Sequence, residues 1–382
     1  MVVRFARCWF FCCCNHTNRP HHLVDDEGRD SGTVTFRVTY VMILFWSIVA
    51  SLAMFQNASG VEKKEPPEDI FGIQPENQVE VFVASDISEE VRAGVTETLA
   101  LAVESWGSTG RLEYWVLGAD REAALKLSEK FCKRRVERGD MTLRDCMRDR
   151  FNTNHGFMSY QKIGADAVAT GRPSMSAGHN GGSEWGFHRY SSSLPLGFAG
   201  LLETAGEGDQ ITIFHEYWHS VQQASIKAKD HPTRRKQMGP VWFAEGSAVA
   251  MAEITAERLW ESGKLRKWNN TTRPWPSLKQ RMTDKMRIIQ QKRDQCDTIL
   301  PDTYEGECAQ LAYESGGWAI VYLMNKHGAN VLLETFHPQV AELGWEGAFR
   351  ETFGQSSEEF IKEFETFVDL PLTQQVKILA KF

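Results

Sequence analysis

The chain has no basic excess. Its 382 residues carry 43 Lys and Arg against 50 Asp and Glu, a net charge of -7. That excludes the dominant cationic surface on which phosphate neutralisation depends, so no nucleic acid is expected among its partners. No segment repeats at a fixed period, which excludes a solenoid or a propeller. Cysteine is scarce, with eight residues and none between Cys146 and Cys296. The middle of the chain therefore lacks thiolates for a closed structural zinc site. Proline and glycine are absent from 210 to 224, so nothing there interrupts a helix.

Hydrophobic residues make up 42% and charged residues 24%, as in ordinary folded proteins. The length suits one large domain or two lobes with appendages. Residues 38–55, "VTYVMILFWSIVASLAMF", carry no charge and are just long enough to span a bilayer. They read as a transmembrane signal-anchor or as a signal peptide. Residues 1–37 are then a cytosolic tail, or the product of a mis-assigned start, since "MILFWSIVASLAMFQNASG" from Met42 reads as a signal peptide by itself. The expected location is a single-pass membrane protein with a lumenal or extracellular domain, or a secreted one. Sequons at Asn57, Asn269 and Asn270 agree with that side of the membrane. So do four cysteines beyond the apolar segment. Their spacing favours the pairs Cys132–Cys146 and Cys296–Cys308 in an oxidising compartment, although four cysteines permit three pairings.

Residues 56–76 are polar and proline-containing and read as a linker. A short strand at 79–85, a Ser-capped helix at 88–106, a strand at 111–118 and a helix at 121–139 open an N-terminal α/β lobe spanning 77–238. Residues 152–200, rich in Gly, Ser and Asn, read as loops and edge strands. His179 and His188 there read as loop histidines. A helical C-terminal lobe follows at 239–369, and 370–382 is a tail. The fold class expected is α+β.

Within "ITIFHEYWHSVQQ", helical spacing places His215 and His219 on one side of the helix, about 40° apart. Two imidazoles so placed can bind one Zn²⁺. Glu216 projects about 100° around from His215, within reach of a water on the metal but not of the metal itself. That is the position of a general base. Asp209 is the expected N-cap. A catalytic zinc needs a third protein ligand and one open position. Glu245 in "GPVWFAEGSAVAMAE" sits among small apolar residues, where an unpartnered carboxylate is costly. A metal or a buried ion pair is the partner it requires.

H-E-x-x-H followed by "WFAEGSA" resembles the gluzincin metallopeptidases, including peptidase-MA-like proteins with a W-x-x-E-G-x-A motif. "YESGGWAIVYLMNKHG" (313–328) is similar to that group's Y-x-x-G helix, and 343–368 resembles its closing helices. The resemblance covers about 200–369 well and 79–200 loosely. It implies a zincin-like two-lobed domain with His215, His219 and Glu245 as zinc ligands. It implies Glu216 as the base and Tyr313 as a donor to the oxyanion. The activity implied is hydrolysis of peptide bonds in a peptide or protein substrate, by a zinc-bound water.

Three departures stand against the pattern. Twenty-five residues separate His219 from Glu245, with the excess in "KAKDHPTRRKQMG", which reads as a surface loop. The G-x-M-x-N motif of aminopeptidases is missing. Val249 stands where thermolysin-like proteins carry an acidic partner, which leaves Glu253 or Asp209 to support a ligand histidine. The alternative function is a catalytically inactive lumenal or extracellular binding module that retains the fold.

Overall fold

A computed structural model describes residues 79–382, except 140, 153–155, 172–175, 183–186, 197–206, 229 and 267–274. The apolar segment 38–55, the flanking tail and linker, and the three sequons lie outside the described residues. Among the described residues no helix is long and apolar enough to cross a membrane.

The chain starts β-α-β-α, as the sequence pattern predicts. Strand β1 (Val79–Val83) leads into helix α1 (Glu89–Trp106), and strand β2 (Leu112–Leu117) into α2 (Arg121–Glu137). Both helices begin at side-chain caps. Ser88 accepts from the Val91 amide and Asp120 from the Ala123 amide, satisfying donors that the first turn leaves open. Helix α3 (Leu143–Asp149) is tied to α2 by the disulfide Cys132–Cys146. Cys296 pairs with Cys308, as expected.

Between 152 and 200 an edge strand is present as expected, but a helix and a second, inner strand stand where loops were expected. Helix α4 (Phe157–Thr170) stands there, followed by β3 (Ser176–Gly182) and β4 (Phe187–Ser193), so His179 and His188 are strand residues. Gly164 explains how α4 fits: a Cβ there would lie 2.3 Å from the Gly118 carbonyl oxygen. The sheet has strand order β1-β2-β4-β3, parallel except for β3, which runs antiparallel on the outer edge. Alternation splits its residues between two faces. Trp115 packs on Phe131 of α2 and Phe157 of α4. On the other face Tyr114 stacks on Tyr190, whose hydroxyl lies beside Ser220 of the next helix.

That helix is α5 (Glu207–Ala224), carrying the H-E-x-x-H residues. It begins two residues before Asp209, which therefore lies inside the first turn and is not the cap. The polar stretch after it, expected as a loop, is helical in its second part. Helix α6 (His231–Met238) starts at Asp230, whose carboxylate accepts from the Thr233 amide, with proline in its first turn.

Helix α7 (Val241–Glu261) is buried almost all round, as its apolar composition requires. It packs along α5 and against α9 (Ala309–His327), with α8 (Leu278–Lys292) between them in sequence. The α7–α9 crossing is a backbone contact. A Cβ on Gly316 would meet the Trp242 carbonyl oxygen at 2.1 Å, and one on Gly246 would meet the Gly316 carbonyl carbon at 2.3 Å. Only glycine permits that approach. Helices α10 (His337–Phe353) and α11 (Ser357–Val368) close the chain's aromatic core around Trp242, Trp345, Phe349 and Phe360. The final residues are helical and packed, with Leu379 buried and Lys381 donating to the Asn325 carbonyl. The described residues are thus mainly helical, with one small mixed sheet, consistent with α+β.

Candidate metal site

Three predicted ligands converge. His215 and His219 lie one turn apart on α5, and Glu245 projects from the second turn of α7. Their ligand atoms all lie within 4.8 Å of one another. The Glu245 Oε2 stands 3.2 Å from His215 Nε2 and 3.4 Å from His219 Nε2. Atoms bound tetrahedrally at about 2.0–2.1 Å from zinc are about 3.3 Å apart, so both separations match an edge of that tetrahedron. A hydrogen-bonded pair has similar spacing, so the distances alone do not choose between the two.

The residue behind His219 bears on that choice. The Gln222 Oε1 lies 2.7 Å from His219 Nδ1 and accepts its proton. In the neutral ring this fixes the tautomer and turns the Nε2 lone pair toward Glu245 and the space beside it. The Gln222 amide nitrogen donates to the Ala244 carbonyl at 2.8 Å and the Ser247 hydroxyl at 2.7 Å. Trp218 Nε1 donates to the same Ser247 hydroxyl at 3.1 Å. Gln222 and Ser247 were not singled out from the sequence. The signal for Gln222 was its place one turn beyond His219, where a ligand histidine requires an acceptor.

The electrostatics of these side chains among themselves show the strain of the grouping. Burial pushes Glu216 up to about 7, with His219 pulling the other way. Burial also opposes charge on His219, but the adjacent Glu245 carboxylate outweighs it and raises His219 to about 9. Glu245 feels the same burial, overcome by His219 and His215, and is held well below the usual range. His215 is lowered, chiefly by burial. A divalent cation replaces the His219 proton as the counter-charge in such a site.

Glu216 is 1% exposed, and its Oε2 has no hydrogen-bond partner among the described residues. A buried carboxylate oxygen left so is costly unless something else uses it. Tyr313 is also buried, and its ring lies 6.3 Å from that of His215, the planes 16° apart. The α7–α9 glycine crossing accounts for this. Gly316 is one turn past Tyr313 and Gly246 follows Glu245, so the same contact brings ligand and tyrosine together.

Of the two expected supports for a histidine, Glu253 is corrected. The Glu253 carboxylate instead meets Arg281 Nε at 2.5 Å and Lys285 Nζ at 3.4 Å on α8. Lys285 also reaches Glu314 at 3.1 Å. The donor set present, two nitrogens and a carboxylate with a carboxylic neighbour, fits zinc. Scans against protein-family models, curated proteins and solved structures found no match to this chain.

Proposed function

We propose that this chain is a zinc-dependent peptidase of the gluzincin kind, with a zincin-like two-lobed architecture. The observation that carries the reading is the convergence of His215, His219 and Glu245 beside a buried Glu216 oxygen without a partner. A structural ion pair needs no such neighbour.

Zinc, when bound, supplies Lewis acidity to a carbonyl oxygen and makes a water acidic near neutral pH. The remaining chemistry belongs to the chain. Glu216 takes the proton of the attacking water on its carboxylate and returns it to the departing amine. Tyr313 donates its phenolic hydrogen to the developing oxyanion. Gln222 holds His219 in the ligand tautomer. The outer strand β3 packs beside α5 and, as the edge strand of the sheet among the described residues, is where an extended peptide backbone would pair.

Elemental analysis of the full chain tests this, beside Glu245→Ala and Glu216→Gln. The expected result is one zinc per chain in the parent and in Glu216→Gln, and loss of zinc in Glu245→Ala. A peptide library should be hydrolysed by the parent and spared by Glu216→Gln and by chelated protein. Equal zinc with and without Glu245 overturns the ligand assignment. Zinc retained with no hydrolysis favours the binding module over the peptidase.

A further inference from the structure

Helix α7, which carries Glu245, and helix α9, which carries Tyr313, both start without a side-chain cap of their own. Pro240 and Cys308 stand at the two N-cap positions, and neither side chain makes a capping hydrogen bond. The first amides of a helix have no partner within it, so an uncapped start is where a helix frays. For α7 the missing acceptor comes from a distant part of the chain. The Asp302 Oδ1 accepts from the Val241 amide at 2.8 Å, across 61 residues of sequence.

Asp302 belongs to a ring. The disulfide Cys296–Cys308 closes residues 296–308 into a loop between α8 and α9. Buried Ile299 and Leu300 pin one arm of that loop in the core. Cys308 fixes the other arm at the start of α9. Thr303 braces the turn beside Asp302: its hydroxyl donates to the Glu305 carbonyl and accepts from the Glu305 amide, each at 3.1 Å. Asp302 itself is exposed, so the ring rather than core packing holds its carboxylate in place. A closed loop has far fewer conformations than an open one.

The hydrogen bond bears on the metal site through the helix. Val241 is four residues before Glu245, and in an α-helix its carbonyl receives the Glu245 amide. Asp302 therefore holds the turn from which Glu245 projects, and its negative charge suits a helix N-terminus. We propose that Asp302 is a positioning residue for the metal ligand Glu245, and that the Cys296–Cys308 ring keeps it there. The proposal rests on the metal reading.

Zinc affinity of the full chain, by competition with a chromophoric chelator, tests this beside urea unfolding in chelator. Asp302→Ala should bind zinc about fivefold more weakly, the size of one lost helix cap, and Asp302→Asn, which keeps an acceptor, should stay within about twofold of the parent. Opening the ring with Cys296→Ser and Cys308→Ser together should cost about the same fivefold, and adding Asp302→Ala should cost nothing further, because both changes act through one bond. A purely structural cap would lower the urea midpoint and leave the zinc affinity of the folded protein unchanged. That result for Asp302→Ala overturns the proposal, and a combined loss of about 25-fold overturns the part given to the ring. If the serine pair fails to fold, the two Asp302 variants decide alone. A parent that binds no zinc overturns the metal reading and this proposal with it, whereas equal zinc affinity in the parent and Asp302→Ala overturns the positioning role only.

Discussion

Replacing Gln222 separates metal orientation from ordinary packing. Its side chain makes three buried hydrogen bonds, one to His219 and two across to α7. Each is worth about 1 kcal/mol net, so Gln222→Ala should cost metal-free protein about 3 kcal/mol. The bond to His219 carries a further effect, since removing an outer-shell partner typically lowers metal affinity about 10–100-fold. Gln222→Glu divides the two. A carboxylate accepts from His219 Nδ1 but cannot donate to the Ala244 carbonyl. This variant should lose stability in chelator while holding zinc within a few-fold of the parent. The assays are urea unfolding of the full chain in chelator and zinc affinity by competition with a chromophoric chelator. If Gln222→Ala binds zinc as tightly as the parent, or Gln222→Glu binds as weakly as Gln222→Ala, Gln222 is a packing residue and the tautomer argument fails.

Gly316→Ala should be among the most damaging single substitutions. Its Cβ would lie 2.1 Å from a backbone oxygen that α7 cannot withdraw; we expect a loss of about 3 kcal/mol or more in chemical unfolding, and a cost under 1 kcal/mol would show that the crossing is loose. Tyr313→Phe should keep its zinc and lower kcat by about 10²-fold, as for loss of one oxyanion donor; unchanged turnover by a zinc-loaded variant would remove Tyr313 from the chemistry. His337 is buried against Trp218, and burial lowers it to about 4 from an ordinary 6.5. The unfolded chain therefore binds the proton first. Stability is full above pH 6.5 and falls as pH drops toward 4, by about 3 kcal/mol from this group. His337→Leu should flatten that acid limb in chemical unfolding at a series of pH values; an unaltered limb would show that other groups set it.

Local signals carried most of what the sequence disclosed. The cap Ser88, the H-E-x-x-H spacing and the two near cysteine pairs each depend on residues within about one or two turns or a short loop. Helix α6 was legible by the same means, since Asp230 followed by proline is a start signal, but its charged, apolar-poor sequence resembled a loop. Helix α4 was hidden by the glycine, serine and asparagine on its C-terminal side. Its own Gly164 weakens the helical pattern, yet glycine is needed there against Gly118. The role of Glu253 could not be read locally. Its partners Arg281 and Lys285 come from α8, beyond the end of its own helix, and nothing near residue 253 announces them. Gln222 lay between these cases: near His219 in sequence, yet meaningful only once α7 supplies Ala244 and Ser247.

The glycine crossing of α7 and α9 also constrains motion. At Gly246 and Gly316 backbone rests on backbone, so at that point no side-chain rotamer can change to absorb a shift. Glu245 and Tyr313 are consequently fixed to one bearing, and neither helix can swing aside alone. Any opening that admits a substrate must come from other elements, and hydrogen exchange should find the amides of α7 and α9 among the slowest in the molecule.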